Sequence, residues 1–214
     1  MKTGQLITVE GSDGSGKTTH LDYICTCLRN RGVPVVQTRE PGGTDIGEAL
    51  RNILIRRVDL EMHADTELLL MFAARMEHVE KVIRPALKSG TWVVVDRFID
   101  ASYAYQGGGR GISAKRIGVL EKWVLQGLSP DLTILLDVAV DVGLGRTVSR
   151  NADADRFEAQ DLEFKSAVRD SYLDRARQDP NRIRVVDASA PKTAVQESIR
   201  AILEPVMGQF PGLT

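Results

Sequence analysis

"EGSDGSGKTTH", residues 10–20, stands between an apolar run, "QLITV" at 5–9, and a segment from about 17 to 31 whose apolar residues recur at helical spacing. Its centre, "GSDGSGKT" at 11–18, fits G-x-x-x-x-G-K-[ST], the glycine-rich turn that carries a chain from a buried strand into a helix. Gly11, Gly14 and Gly16 permit close approaches that a side chain would block, so successive N–H groups can turn inward as a nest for anions. Lys17 is placed to reach β- and γ-phosphoryl oxygens, Thr18 to put its hydroxyl on Mg²⁺, and the helix start adds its positive end. The whole loop, with Ser12, Asp13, Ser15 and Thr19, is expected to bind a nucleoside triphosphate.

Outward from that turn the pattern repeats. Apolar runs at 5–9, 33–37, 91–95, 132–138 and 182–186 read as buried strands, and helical spacing fills 17–31, 44–56, 64–89, 113–127, 140–150, 160–178 and 192–207. Alternating strands and helices imply right-handed crossovers and a five-stranded parallel sheet with helices on both faces, an α/β fold. Ligands then sit at the carboxyl ends of the strands. Three stretches break the rhythm and read as functional loops: "REPGGT" at 39–44, "YQGGGRG" at 105–111 and "RNADADRFE" at 150–158. No repeat or linker divides the chain, so one domain over residues 1–214 is expected, with its phosphate-binding loop at 10–19 and a lid at 150–159.

Composition narrows the partners. A net charge of −1 advertises no surface for a nucleic acid polymer, so phosphate chemistry must be local. Cys25 and Cys27, the only cysteines, lie in a helical segment and lack the roughly four-ligand pattern of a zinc site. No apolar run approaches the roughly 20 residues that span a bilayer, and the cytoplasm is the expected location.

Other motifs discriminate among P-loop proteins. The N-K-x-D of guanine-specific switches is absent, since no Asn is followed by Lys. Motor-type ATPases end a strand on Asp-Glu, the Glu polarising water; here "VVVDRF" puts Arg97 after Asp96. A guanidinium at that place suits a phosphate on an acceptor, because it forks onto two phosphate oxygens.

Six blocks in order, "VEGSDGSGKTTH", "TREPGGT", "LLLMFAAR", "VVVDRFIDASYAYQGGGRG", "PDLTILLDV" and "DRFE", resemble the thymidylate kinase family over nearly the whole chain. The resemblance implies the P-loop nucleoside monophosphate kinase fold and transfer of the γ-phosphoryl group of ATP to the 5′-phosphate of dTMP, with Mg²⁺, without a covalent intermediate, in a homodimer. It also implies roles. Asp13 meets the sugar 3′-hydroxyl, Arg97 grips the acceptor phosphate, Asp96 stands near the metal, Arg51 makes a second phosphate or base-side contact, and Glu40 orients these arginines. Phe72 is assigned to cover thymine and Arg75 to reach a base oxygen. The family usually spaces its aromatic four residues before the arginine, a place held here by Met71. Ser102 and Gln106 match base-recognition positions, and Tyr105 matches a ring that crowds the sugar 2′ position. With Gly14 where some relatives carry an arginine, the catalytic cation is expected from the lid, from Arg150 or Arg156, with Arg146 on the adenine side. A kinase of another nucleoside monophosphate or of a deoxynucleoside is the nearest alternative; a nucleotide-dependent switch or binding module is the more distant one.

Overall fold

The computed structural model describes residues 4–148 and 155–208. Five strands, β1 (Leu6–Glu10), β2 (Val35–Arg39), β3 (Trp92–Asp96), β4 (Leu132–Asp137) and β5 (Ile183–Asp187), form one parallel sheet in the order β2-β3-β1-β4-β5. β1 is buried along its whole length because it has a neighbour on each side. β2 and β5, at the edges, keep partly exposed residues. The expected strands are all present, each ending at or within two residues of the expected place.

Helices cover both faces: α1 (Lys17–Asn30), α2 (Asp45–Arg51), α3 (Ala64–His78), α4 (Arg84–Lys88), α5 (Ile99–Ser102), α6 (Ala114–Leu125), α7 (Val140–Val148), α8 (Leu162–Gln178) and α9 (Lys192–Met207). Strand alternation decides which layer each residue enters. Ile7, Val9, Trp92 and Val94 pack with α1 and α9, whereas Leu6, Val93 and Val95 pack with α3 and α6. A third apolar cluster joins Ala104, Tyr105 and Leu135 to Phe164, Val168 and Tyr172 of α8.

Three expectations change in form. The helix expected over 44–56 runs as α2 and then a π turn at Asn52–Arg56. The helix expected over 64–89 runs as α3, a wider π turn at Val79–Ile83, then α4. Pro85 has no N–H for the carbonyl four residues back, and the widened turn precedes it. The stretch 105–111, expected as a flexible loop, is mostly helical: a π turn over Tyr103–Gly109 continues α5. Its glycines answer to packing, since a Cβ on Gly108 would lie 2.6 Å from the Ala167 carbonyl oxygen and one on Gly109 2.4 Å from the Phe164 ring.

β1 lies at the centre: the chain runs from it to β2 and β3 on one side and then crosses to β4 and β5 on the other. That switch point opens a crevice at the carboxyl ends of the strands.

Candidate active site

The crevice is a cavity of about 730 Å³ reaching from the β5–α9 loop, past residues 13–19, to the π turn after α5. The glycine-rich loop follows β1, and α1 starts after Gly16 at φ 84. At Gly14, φ is 78 and a Cβ would meet the Gly143 carbonyl oxygen of α7 at 2.2 Å, so packing as well as phosphate approach requires the missing side chain. The Lys17 ammonium donates to the carbonyls of Gly11 at 3.1 Å and Ser12 at 2.9 Å. Burial, then the charge of Arg97, lowers its pKa to about 8.

Arg97 has φ 64, an uncommon conformation for a side-chain-bearing residue, and its backbone turns the guanidinium back over the glycine-rich loop. It donates to Asp13 Oδ1 at 2.7 Å, to the Gly11 carbonyl at 2.9 Å and to the Tyr172 hydroxyl at 3.2 Å. The Tyr105 ring lies under it at 4.8 Å. Asp96, the last residue of β3, keeps Oδ1 buried without a hydrogen-bond partner. Arg51 donates to the Pro41 carbonyl at 2.9 Å, and burial, then the nearby Arg39, disfavours its charged form, with Arg97 adding to the effect. Lys17, Arg51 and Arg97 thus line one cavity, and the charge of Arg97 disfavours that of the other two, an arrangement that a phosphate relieves.

α3 supplies the floor. Arg75 donates through Nε to Glu40 at 2.7 Å, through Nη1 to the Ser102 hydroxyl at 2.9 Å and through Nη2 to the Phe98 carbonyl at 3.0 Å. Glu40 therefore orients Arg75, and on its other oxygen His78 at 2.9 Å, rather than Arg51 or Arg97. Phe72 does not line the cavity; it is buried in the core with Leu68 and Val79, its ring 4.8 Å from the Arg75 guanidinium. Met71 lines the cavity instead, because Glu67, Met71 and Arg75 are spaced four apart along one stripe of α3 while Phe72 follows Leu68 on the next.

Gln106 lines the same end, with its amide nitrogen donating to Glu67 at 2.9 Å. Arg146 lies at the opposite end, donating to the Ala188 carbonyl at 2.8 Å beside Gly14. Thr18 and Thr19 line the cavity at the start of α1. Of the expected lid, Arg150 lies outside the described residues. Arg156 does not line the cavity: it donates to the carbonyls of Leu54 at 2.9 Å, Arg57 at 2.6 Å and Leu60 at 2.8 Å, leaving Asp155, Phe157 and Glu158 to line it. Sequence reasoning passed over Glu67, His78 and Tyr172. Glu67 alone left a signal, a charge in the apolar run "ELLLMF" in phase with Arg75.

Comparison with known proteins bears directly on this arrangement. The family model described as thymidylate kinase matches residues 9–199. The chain belongs to the thymidylate kinase family. It is 54% identical over 201 residues to the thymidylate kinase of Thiobacillus denitrificans, covering 94% of this chain and 97% of that one. Against the thymidylate kinase of Ruthia magnifica it is 50% identical over 204 residues, covering 95% and 99%. A crystal structure of thymidylate kinase from Ehrlichia chaffeensis superposes with a TM-score of 0.77 at 35% identity, covering 94% of this chain and 99% of that one. The thymidylate kinase fold is therefore shared along nearly its whole length.

Proposed function

We infer that this thymidylate kinase family member transfers the γ-phosphoryl group of ATP to the 5′-phosphate of dTMP, releasing dTDP and ADP. The observation that carries the reading is the meeting of Lys17, Arg51 and Arg97 in one cavity, between a glycine-rich loop on one side and the Arg75–Ser102–Gln106 pocket on the other. A phosphate oxygen of dTMP attacks the γ-phosphorus while the bond to the β–γ bridging oxygen breaks, and ADP leaves with that electron pair. Lys17 balances charge on the donor phosphates, and Arg97 and Arg51 hold the acceptor phosphate in line. Binding of that phosphate would draw Arg97 off Asp13 Oδ1, the oxygen then offered to the sugar 3′-hydroxyl. Tyr105, packed under Arg97, closes the space at the sugar 2′ position.

The residues present fit Mg²⁺. Among the described residues no group of three His, Cys, Asp or Glu side chains could hold a metal alone, so the ion would come with the nucleotide. The Thr18 hydroxyl and the orphaned Asp96 Oδ1 would hold it, and when bound it draws charge from the β- and γ-phosphoryl oxygens. The lid arginine of the reading is Arg150, since Arg156 is turned to the carbonyls of 54–60.

A cytoplasmic location belongs to the same proposal; among the described residues no helix is long and apolar enough to cross a membrane. So does a homodimer, supported by the exposed Leu69 on α3 and Val119 and Trp123 on α6. The test of function is ADP release with dTMP, dUMP, dCMP, AMP and thymidine in parallel. Preference for dTMP is expected; hydrolysis independent of any acceptor would point to a switch, and preference for thymidine would remove the role of Arg97.

A further inference from the structure

Glu67 is a carboxylate with 1% of its surface exposed, set in the first turn of α3 beneath the base end of the cavity. Its Oε1 accepts from Gln106 Nε2 at 2.9 Å. The Arg110 guanidinium pairs with it, Nη2 lying 3.1 Å and Nε 3.3 Å from Oε2. Arg110 is itself held over the Phe164 ring at 4.7 Å and donates through Nη1 to Gln160 at 2.8 Å, two residues beyond Glu158 on the cavity wall. A carboxylate paired with a guanidinium accepts hydrogen bonds and offers none. The amide of Gln106 can therefore meet Glu67 only through its nitrogen, and its Oε1, without a hydrogen-bond partner among the described residues, is left as the polar atom for a ligand.

We propose that Glu67, held in place by Arg110, is a positioning residue that fixes the Gln106 side chain with its carbonyl toward the cavity, so that the pocket selects a pyrimidine bearing a ring N–H. Arg75 and the Ser102 hydroxyl bring hydrogen-bond donors to the same pocket, so its edge pairs donor with acceptor. A ring carbonyl beside a ring N–H, as in thymine, complements that edge. Cytosine, with an amino group beside an unprotonated ring nitrogen, sets donor against donor and acceptor against acceptor, leaving buried polar groups unpaired. The proposal rests on the reading of this site as a dTMP site and adds the residues that determine its base choice.

The experiment measures kcat/KM for dTMP, dCMP and N3-methyl-dTMP with wild type, Glu67→Gln and Glu67→Asp at saturating ATP. A glutamine at 67 can satisfy either face of the Gln106 amide, so the dTMP:dCMP ratio should fall roughly tenfold or more in Glu67→Gln. Glu67→Asp keeps an acceptor-only group and should keep the ratio while lowering both values. Equal losses for dTMP and dCMP in Glu67→Gln would mean that Glu67 serves packing alone. Wild type should use N3-methyl-dTMP at least tenfold less well than dTMP; equal use overturns the proposal even if Glu67→Gln fails to fold. A wild type indifferent to dTMP in the acceptor panel would instead sink the functional reading, a result separable from an unchanged ratio in a dTMP-selective enzyme.

Discussion

Glu10 closes β1 with no exposed surface, accepting from the Phe98 N–H at 2.7 Å and from the Tyr172 hydroxyl at 2.8 Å. Burial, then the charge of Asp100, raises its pKa from 4.5 to about 7 despite those bonds. The folded protein therefore holds this proton more tightly than the unfolded chain. The stabilisation is fully present below pH 4.5 and is lost as pH rises through about 7, on the order of 3 kcal/mol in all. Glu10→Gln should flatten the fall in stability between those limits in urea unfolding followed by pH; an unchanged slope would assign it to other groups. Met71 and Phe72 divide differently. Met71→Ala should raise KM for dTMP by roughly 1–3 kcal/mol in binding terms with little change in melting temperature, if a side chain at that place covers the base. Phe72→Ala, which empties a core position, should lower stability by about 3–5 kcal/mol. If Phe72→Ala weakens dTMP binding more than Met71→Ala in a folded protein, the assignment from the α3 stripe is wrong.

The π turn after α5 and helix α8 form one packed unit, and glycine is what lets them meet. Gly108→Ala would drive a methyl group to 2.6 Å from the Ala167 backbone oxygen, where no side chain can yield. A loss of roughly 1–3 kcal/mol is expected, read as a lower melting temperature. Gln106 and Arg110 flank this turn's glycines, so dTMP affinity should fall with it. The proposed lid follows a similar division of labour. Arg156 ties it to the carbonyls of residues 54, 57 and 60, the stretch after α2, the helix that ends on Arg51. Arg156→Ala should mainly cost stability and raise protease cleavage near residue 156, whereas Arg150→Ala should lower kcat with dTMP affinity nearly unchanged. A wild-type kcat in Arg150→Ala, with a large loss in Arg156→Ala, would reverse these roles and require Arg156 to leave its carbonyls during turnover.

At the scale of the molecule, α3 carries site residues on one stripe and exposed apolar surface on another. Asp65 of α3 and Arg116 of α6 are joined by an ion pair at 2.8 Å; one turn on stand Leu69 and Val119, and a further turn along α6 stands Trp123, 68% exposed. Trp123→Glu should convert a dimer to a monomer in light scattering at micromolar concentration; an unchanged mass would place the contact elsewhere or remove the dimer from the proposal. Much of this protein was legible in its amino-acid order, because local physics acts locally. The glycine-lysine turn, the short continuous apolar runs and the strand-helix alternation each follow from neighbouring residues, and they led to five parallel strands and a nucleotide loop. Tertiary structure decided what depends on helix phase and on contacts far apart in sequence. A shift of one position on α3 turns Phe72 into core and Met71 into cavity wall. The glycines at 107–109 read as a loop until α8, more than fifty residues away, is laid against them. Arg156, Arg110 and Glu67 acquire meaning only from partners between 39 and 102 positions away, since a charge in sequence shows its sign but not where its hydrogen bonds end.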